Sequence, residues 1–201
     1  MLERLLRFLP VETLHGYEHP ELVETIFQKT VAYAPTEPWE EMRNAGTVLD
    51  FGGGCGLHYK QANNQAVRWA VVETPAMVRR AKTLETDHLR FFTDIDEAAL
   101  WLGHIDVMHS NGSVQYAPDP LATVRQLAGL NADRMLWYRL FLGDGTKTQV
   151  SRLQDHGPGR LDVARKNVAF EFTRIPKADF LDAHQQYRID ASGDDWFKFA
   201  R

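Results

Sequence analysis

From Thr47 onward, short apolar runs alternate with stretches of helical rhythm, and this alternation limits the fold more than any other feature of the chain. Thr47 to Phe51, Val67 to Val72, Leu89 to Phe92, Ile105 to Met108 and Arg134 to Leu142 are each too brief for a helix and read as buried strands. Leu57 to Asn64, Pro75 to Leu84, Asp96 to Leu102 and Pro120 to Leu130 read as the helices between them. Parallel neighbours need crossover connections, so this order calls for an α/β fold, a doubly wound, mainly parallel sheet with helices on both faces.

A helical extension comes first. Pro20 to Tyr33 carries apolar residues at Leu22, Ile26, Val31 and Ala32, and a shorter helix is expected over Pro38 to Asn44, stopped by Gly46. After the alternating region, Gly143 to Arg165 is polar with two glycine turns, and is expected to be either disordered or a lid. Asn167 to Thr173 alternates like a half-buried strand, Pro176 to His184 reads as a helix, and Tyr187 to Asp190 and Trp196 to Ala200 read as strands. One domain is expected over residues 1–201.

Composition narrows the class of partner. A net charge of -4 argues against a protein whose main task is gripping nucleic acid by its phosphates. One cysteine, Cys55, excludes an intramolecular disulfide, and without a CxxC or His/Cys cluster no metal is expected. The opening MLERLLRFLP has Arg4 and Arg7 inside its apolar run, unlike a signal peptide, and no window reaches the roughly 18 apolar residues of a membrane span. The expected location is the cytoplasm.

The stretch TVLDFGGGCGLHYK places four glycines in the six positions after Asp50. At the end of a first parallel strand, such a loop lets the backbone approach a ligand closely. Its spacing, Gly52, Gly54 and Gly56, is GxGxG rather than the GxGxxG of dinucleotide sites, which disfavours an NAD(P)-dependent oxidoreductase. Lys60 is followed by Gln61, so there is no Lys-Ser/Thr pair for a P-loop.

Asp50-x-Gly-x-Gly-x-Gly, with an acid, Glu73, closing the next strand in RWAVVE, resembles class I S-adenosylmethionine-dependent methyltransferases. DFGGGCGLHY, WAVVETPAMV, FFTDID, HSNGSVQYAPDP and TRIPKADFL, in that order, narrow the resemblance to a poorly characterised family of bacterial methyltransferases. Its members carry a DFGG loop, a VVE-x-P segment and an LQY-x-x-DP-like segment. The likeness covers roughly residues 16–187. Two departures stand out: Val114 replaces the more usual leucine, and Tyr138-Arg139-Leu140 lacks the acid that normally precedes the arginine.

The resemblance implies a Rossmann-like, seven-stranded sheet and S-adenosyl-L-methionine as cofactor. Residues 1–46 would form a helical preface, 47–142 the cofactor-binding half, 143–166 a lid loop and 167–201 the substrate-side half. Cofactor contacts are then expected from Asp50, Phe51, Gly52, Gly53, Gly54, Gly56, Glu73, Thr74, Asp94, Ile95, His109, Ser110 and Asn111. Glu73 can accept hydrogen bonds from both ribose hydroxyls, or be a solvated acid before Pro75; Asp94 is either an adenine contact or a helix N-cap, with Asp96 competing.

Methyl transfer needs chiefly alignment of donor and acceptor, which can supply about 7 to 11 kcal/mol, so a catalytic base is optional. His109 is the candidate base, or a ring that only bonds the loop; His58 is read as structural or a cofactor contact. Arg139 is expected to grip an anionic group of a small-molecule substrate, with Gln115, Tyr116, Tyr138 and Gln149 as pocket residues. The functional reading is a methyltransferase acting on a small molecule or sugar intermediate, against a noncatalytic cofactor-binding protein on the same scaffold.

Overall fold

A computed structural model of the chain describes residues 11–37, 39–63 and 67–201. The opening MLERLLRFLP, Pro38 and Asn64, on which three of the expectations above touch, lie outside the described residues.

Among the described residues ten strands form two sheets. The large sheet holds β2 (Thr47–Phe51), β3 (Arg68–Val72), β4 (Leu89–Phe92), β5 (Val107–Asn111), β6 (Arg134–Tyr138), β9 (Arg188–Ser192) and β10 (Phe197–Ala200). Their order is β4-β3-β2-β5-β6-β10-β9, parallel from β4 to β6, with β10 antiparallel to both neighbours. This is the mainly parallel sheet that the alternation implied, with the seven strands and Rossmann-like architecture that the resemblance implied. From β2 the chain moves one way to β3 and β4, then returns to β5 on the other side, so the order reverses between β2 and β5. Ligands of such sheets sit at that reversal, beyond the carboxyl ends of the strands.

Among the described residues six helices pack on the sheet: α1 (Pro20–Ala32), α2 (Leu57–Ala62), α3 (Pro75–Ala81), α4 (Ile95–Leu102), α5 (Pro120–Gly129) and α6 (Lys177–Asp182). The inner strands are apolar on both faces because both are covered. On one face Val48, Trp69, Val71 and Leu136 meet Val23, Phe27 and Met77 of α1 and α3. On the other, Leu49, Met108 and Trp137 meet Leu102, Val124, Leu127 and Phe180 of α4, α5 and α6. No helix among the described residues is long and apolar enough to cross a membrane.

The second sheet departs from expectation. β1 (Thr13–His15), inside the preface read as purely helical, pairs in parallel with β8 (Asn167–Thr173), which pairs antiparallel with β7 (Thr146–Arg152). Gly143 to Arg165, expected to be either disordered or a lid, therefore contains a strand, β7. β8 alternates as read, but its partners are β1 and β7, not the large sheet. Of the helix expected over Pro38 to Asn44, the described residues form only a 3-10 turn, Glu40–Met42. β5 runs on to Asn111 because its ladder with β6 continues to the Asn111–Tyr138 pair. β6 stops at Tyr138, where Arg139 turns to a φ of 51° and the next amide, Leu140, donates to Asp195.

One buried histidine gives the fold an acid limit. His184 lies at 2% exposure, stacked on Phe199 at 4.3 Å, with Nδ1 donating to the Phe180 carbonyl at 2.7 Å and Nε2 without a partner among the described residues. Burial lowers its pKa from 6.5 to about 4, so its stabilising share is complete above the ordinary pKa and disappears as pH falls through about 4. Urea unfolding should show stability dropping from pH 7 to 4.5, and His184→Leu should reduce that drop by about 2 to 3 kcal/mol. His109, also lowered by burial, loses stability in the same direction and keeps part of the slope in the variant. Identical slopes in both proteins would show that His184 is not held neutral.

Candidate functional site

Beyond the carboxyl ends of β2, β3, β4 and β5 lies a cleft of about 1220 Å³, floored by the large sheet and covered by β1, the turn after it, and β8. Its floor begins with the glycine loop. Gly52 has a φ of 74°, and a Cβ there would fall 2.1 Å from the Ser113 Cβ, so only glycine lets the loops after β2 and β5 touch. Ser113 fastens that contact: its hydroxyl donates to the Phe51 carbonyl at 2.7 Å and pairs with Ser110 Oγ at 2.9 Å.

Glu73, at the end of β3, lines the cleft next to this loop. Its two carboxylate oxygens accept from the Gly54 amide at 3.0 Å and the Thr74 amide at 2.8 Å. Burial pushes its pKa up, against the pull of those two amides. Thr74 Oγ1, in the same wall, is buried and meets no partner among the described residues. Asp94 caps α4 through Oδ1, which accepts from Asp96 at 2.8 Å and Glu97 at 2.9 Å, while its side chain also borders the cleft with Ile95. Capping and cleft-lining are thus combined in Asp94, and Asp96 is left outside.

Asp50 does not reach the cleft. It is fully buried, and its carboxylate accepts from three rings: His109 Nδ1 at 2.8 Å, His58 Nδ1 at 2.9 Å and Trp69 Nε1 at 3.2 Å. Although burial opposes its charge, these donors hold its pKa well below the usual carboxylate range. A Cβ on Gly53 would fall 2.2 Å from Asp50 Oδ2, so this glycine makes room for the carboxylate rather than for a ligand. His109 is correspondingly buried, with its pKa lowered by burial, and does not face the cleft as a base would have to. The ladder explains this: Asp50 and His109 are direct partners on β2 and β5, and cross-strand partners point to the same side.

Of the other expected site residues, Phe51, Gly52, Thr74, Ile95 and Tyr116 line the cleft. Ser110 lies buried behind Ser113, and Gly56 enters α2 against Leu89 and Phe91. Gln115 is buried with Nε2 donating to the Arg139 carbonyl, and Gln149 accepts from the Tyr116 hydroxyl at 3.2 Å. Asn111 and Tyr138 instead border a separate hollow of about 640 Å³ with Trp39, Glu41, His58 and Lys198. Arg139 is turned toward Asn111, donating from Nε to Oδ1 at 2.6 Å and from Nη2 to the carbonyl at 3.2 Å. Cys55 is buried against Met77, and burial pushes its thiol up to about 12, which leaves it protonated.

Sequence reasoning missed the cover. His15, Gly16, Tyr17, Glu18 and His19, from β1 and the turn into α1, line the cleft, as do Phe170 and Glu171 of β8. A signal was present in LHGYEHPE, where a glycine, two histidines and a tyrosine crowd the approach to a helix start. His19 caps α1, its Nδ1 accepting from the Glu21 amide at 3.3 Å. Burial raises the pKa of both Tyr17 and Tyr116, so both hydroxyls stay protonated.

No protein-family model matches the chain, and no curated protein matches it. Solved structures do. The sugar N-methyltransferase KedS8 from Streptoalloteichus sp ATCC 53650 is similar at 19% identity and a TM-score of 0.53, over 90% of this chain and 87% of that one. DesVI of Streptomyces venezuelae is similar at 17% identity and a TM-score of 0.51, over 99% and 95%. What the chain shares with them is the Rossmann-like fold.

Proposed function

We propose that this chain is an S-adenosyl-L-methionine-dependent methyltransferase acting on a small molecule or sugar intermediate. The observation that carries the reading is Glu73: a carboxylate steadied by the Gly54 and Thr74 amides, facing the cleft at the strand-order reversal, beside a glycine loop. The donor set fits a nucleoside cofactor. Glu73 retains lone pairs for two ribose hydroxyls, Thr74 Oγ1 lacks a partner among the described residues, and Asp94 and Ile95 border the far end. At about 1220 Å³ the cleft exceeds the roughly 300–1,000 Å³ of ordinary small-molecule sites, leaving room for an acceptor as well. The fold shared with a sugar N-methyltransferase supports the same class.

When bound, the cofactor supplies a methyl electrophile with a neutral leaving group. The protein's share is to hold and orient. The glycine loop and Glu73 would hold one end, while Tyr17 and Phe170 of the cover, with Tyr116 of the turn after β5, would keep water from the acceptor side. With His109 buried, no base is assigned to it, and alignment is the main contribution. That burial is also what favours the second reading, a noncatalytic cofactor-binding protein on the same scaffold.

Calorimetry with S-adenosylhomocysteine, followed by transfer of labelled methyl to the small-molecule fraction of a cell extract, separates the readings. Saturable binding with transfer is expected. Binding without transfer favours the noncatalytic protein, and NADH binding without S-adenosylhomocysteine binding would overturn both in favour of an oxidoreductase.

A further inference from the structure

Among the described residues Lys29 of α1 is the only fully buried lysine or arginine, at 3% exposure. In place of a carboxylate, its Nζ donates to two backbone carbonyls, those of Gln154 at 2.8 Å and His156 at 2.7 Å. These belong to the 3-10 turn Leu153–Asp155 and the residue after it, in the connection between β7 and β8. Gln154 is exposed and His156 half-buried, so water can serve both carbonyls once the connection stands off the helix. Taking a lone ammonium out of water is expensive, and stability alone favours an apolar side chain of the same length at this position. The connection also approaches α1 closely: Gly157 has a φ of 73°, and a Cβ there would stand 3.4 Å from both the Ile26 Cα and the Lys29 Cβ.

What the contact fixes is His156. Its Nε2 pairs with Ser151 Oγ of β7 at 2.7 Å, and its ring meets those of Tyr17 and Phe170 edge-on, with centroids 6.2 and 5.8 Å away. Tyr17, in the turn between β1 and α1, and Phe170, on β8, both line the cleft, whereas Lys29 and His156 stand behind its wall. The ammonium thus reaches the cover through one backbone carbonyl and one ring.

We propose that Lys29 is a positioning residue of the methyltransferase site: its ammonium seats the β7–β8 connection on α1 and, through the His156 ring, sets where Tyr17 and its turn stand over the cleft. The word methyltransferase rests on the reading given above. The seating of the cover does not, and amide exchange reads it with no ligand present.

Lys29→Met keeps the length of the side chain and loses its charge. The melting temperature should stay within about 4 °C of the parent, because the two lost bonds are offset by a charge no longer buried. Exchange in residues 13–19, where the Gly16 amide donates to Ala169, should nonetheless quicken at least about fivefold, with residues 47–51 of the large sheet unchanged. Surface plasmon resonance with S-adenosylhomocysteine should show about fivefold weaker binding, carried by faster dissociation. His156→Ala should produce the same local change, and Lys29→Met added to it should contribute little more, since both act on one contact.

A large fall in melting temperature with exchange quickened throughout would make Lys29 a matter of stability only, and would overturn the proposal. Unchanged exchange in residues 13–19, additive effects of the two substitutions, or unchanged dissociation from a parent that binds S-adenosylhomocysteine would overturn it as well. If the parent does not bind S-adenosylhomocysteine while exchange responds as expected, the methyltransferase reading falls and the seating of the cover by Lys29 stands.

Discussion

Glu73→Ala should weaken S-adenosylhomocysteine binding by about a hundredfold or more. Two hydrogen bonds to a charged acceptor are worth about 1.5 to 3 kcal/mol each, and the substitution also frees the Gly54 and Thr74 amides that steady the loop. Glu73→Gln, which keeps one acceptor oxygen, should fall between the two. Because burial raises the Glu73 pKa, affinity in the parent should begin to fail on the acid side sooner than an ordinary carboxylate would predict. Calorimetry across pH reads both effects, and an unchanged affinity in the alanine variant would remove Glu73 from the binding site.

The largest loss of stability is expected at Asp50. Asp50→Ala leaves the ring N–H groups of His58, His109 and Trp69 without their acceptor in the interior, and breaking such a buried charged cluster costs about 3 to 5 kcal/mol. Urea unfolding measures it. A double-mutant cycle sharpens the test: Gly53→Ala should be far better tolerated in the Asp50→Ala background, because the clash at 2.2 Å is with that carboxylate. Additive costs would mean that Gly53 is needed for its backbone alone. Since Asp50 does not line the cleft, folded Asp50→Ala protein should also retain more cofactor affinity than Glu73→Ala.

How far the sequence reached depended on hydrophobic contrast. The large sheet was legible because strands such as RWAVV and RMLWY are apolar on both faces. β7, TKTQVSR, is exposed at most positions and shows no such contrast, and β1 has only Leu14 fully buried, so neither announced itself. The position of Glu73 followed from the end of a strand and needed no side-chain direction. His109 and Asp50 did need one: a strand's two faces alternate, and sequence alone did not say which face these residues shared. Arg139 was located at a strand end, but its turn toward Asn111 depends on a backbone φ of 51° that arginine seldom adopts.

The place of β10 bears on how this chain is made. β10 lies between β6 and β9 in the large sheet, yet it is synthesised long after β6 and directly after β9. Until Phe197 to Ala200 leave the ribosome, the backbone edge of β6 stays open, with the apolar RMLWY stretch available for mispairing. A growing chain therefore carries an unsealed edge while residues 139–196 are being made, so mispairing of nascent chains, and not only the stability of the finished protein, bears on how much folded protein is obtained.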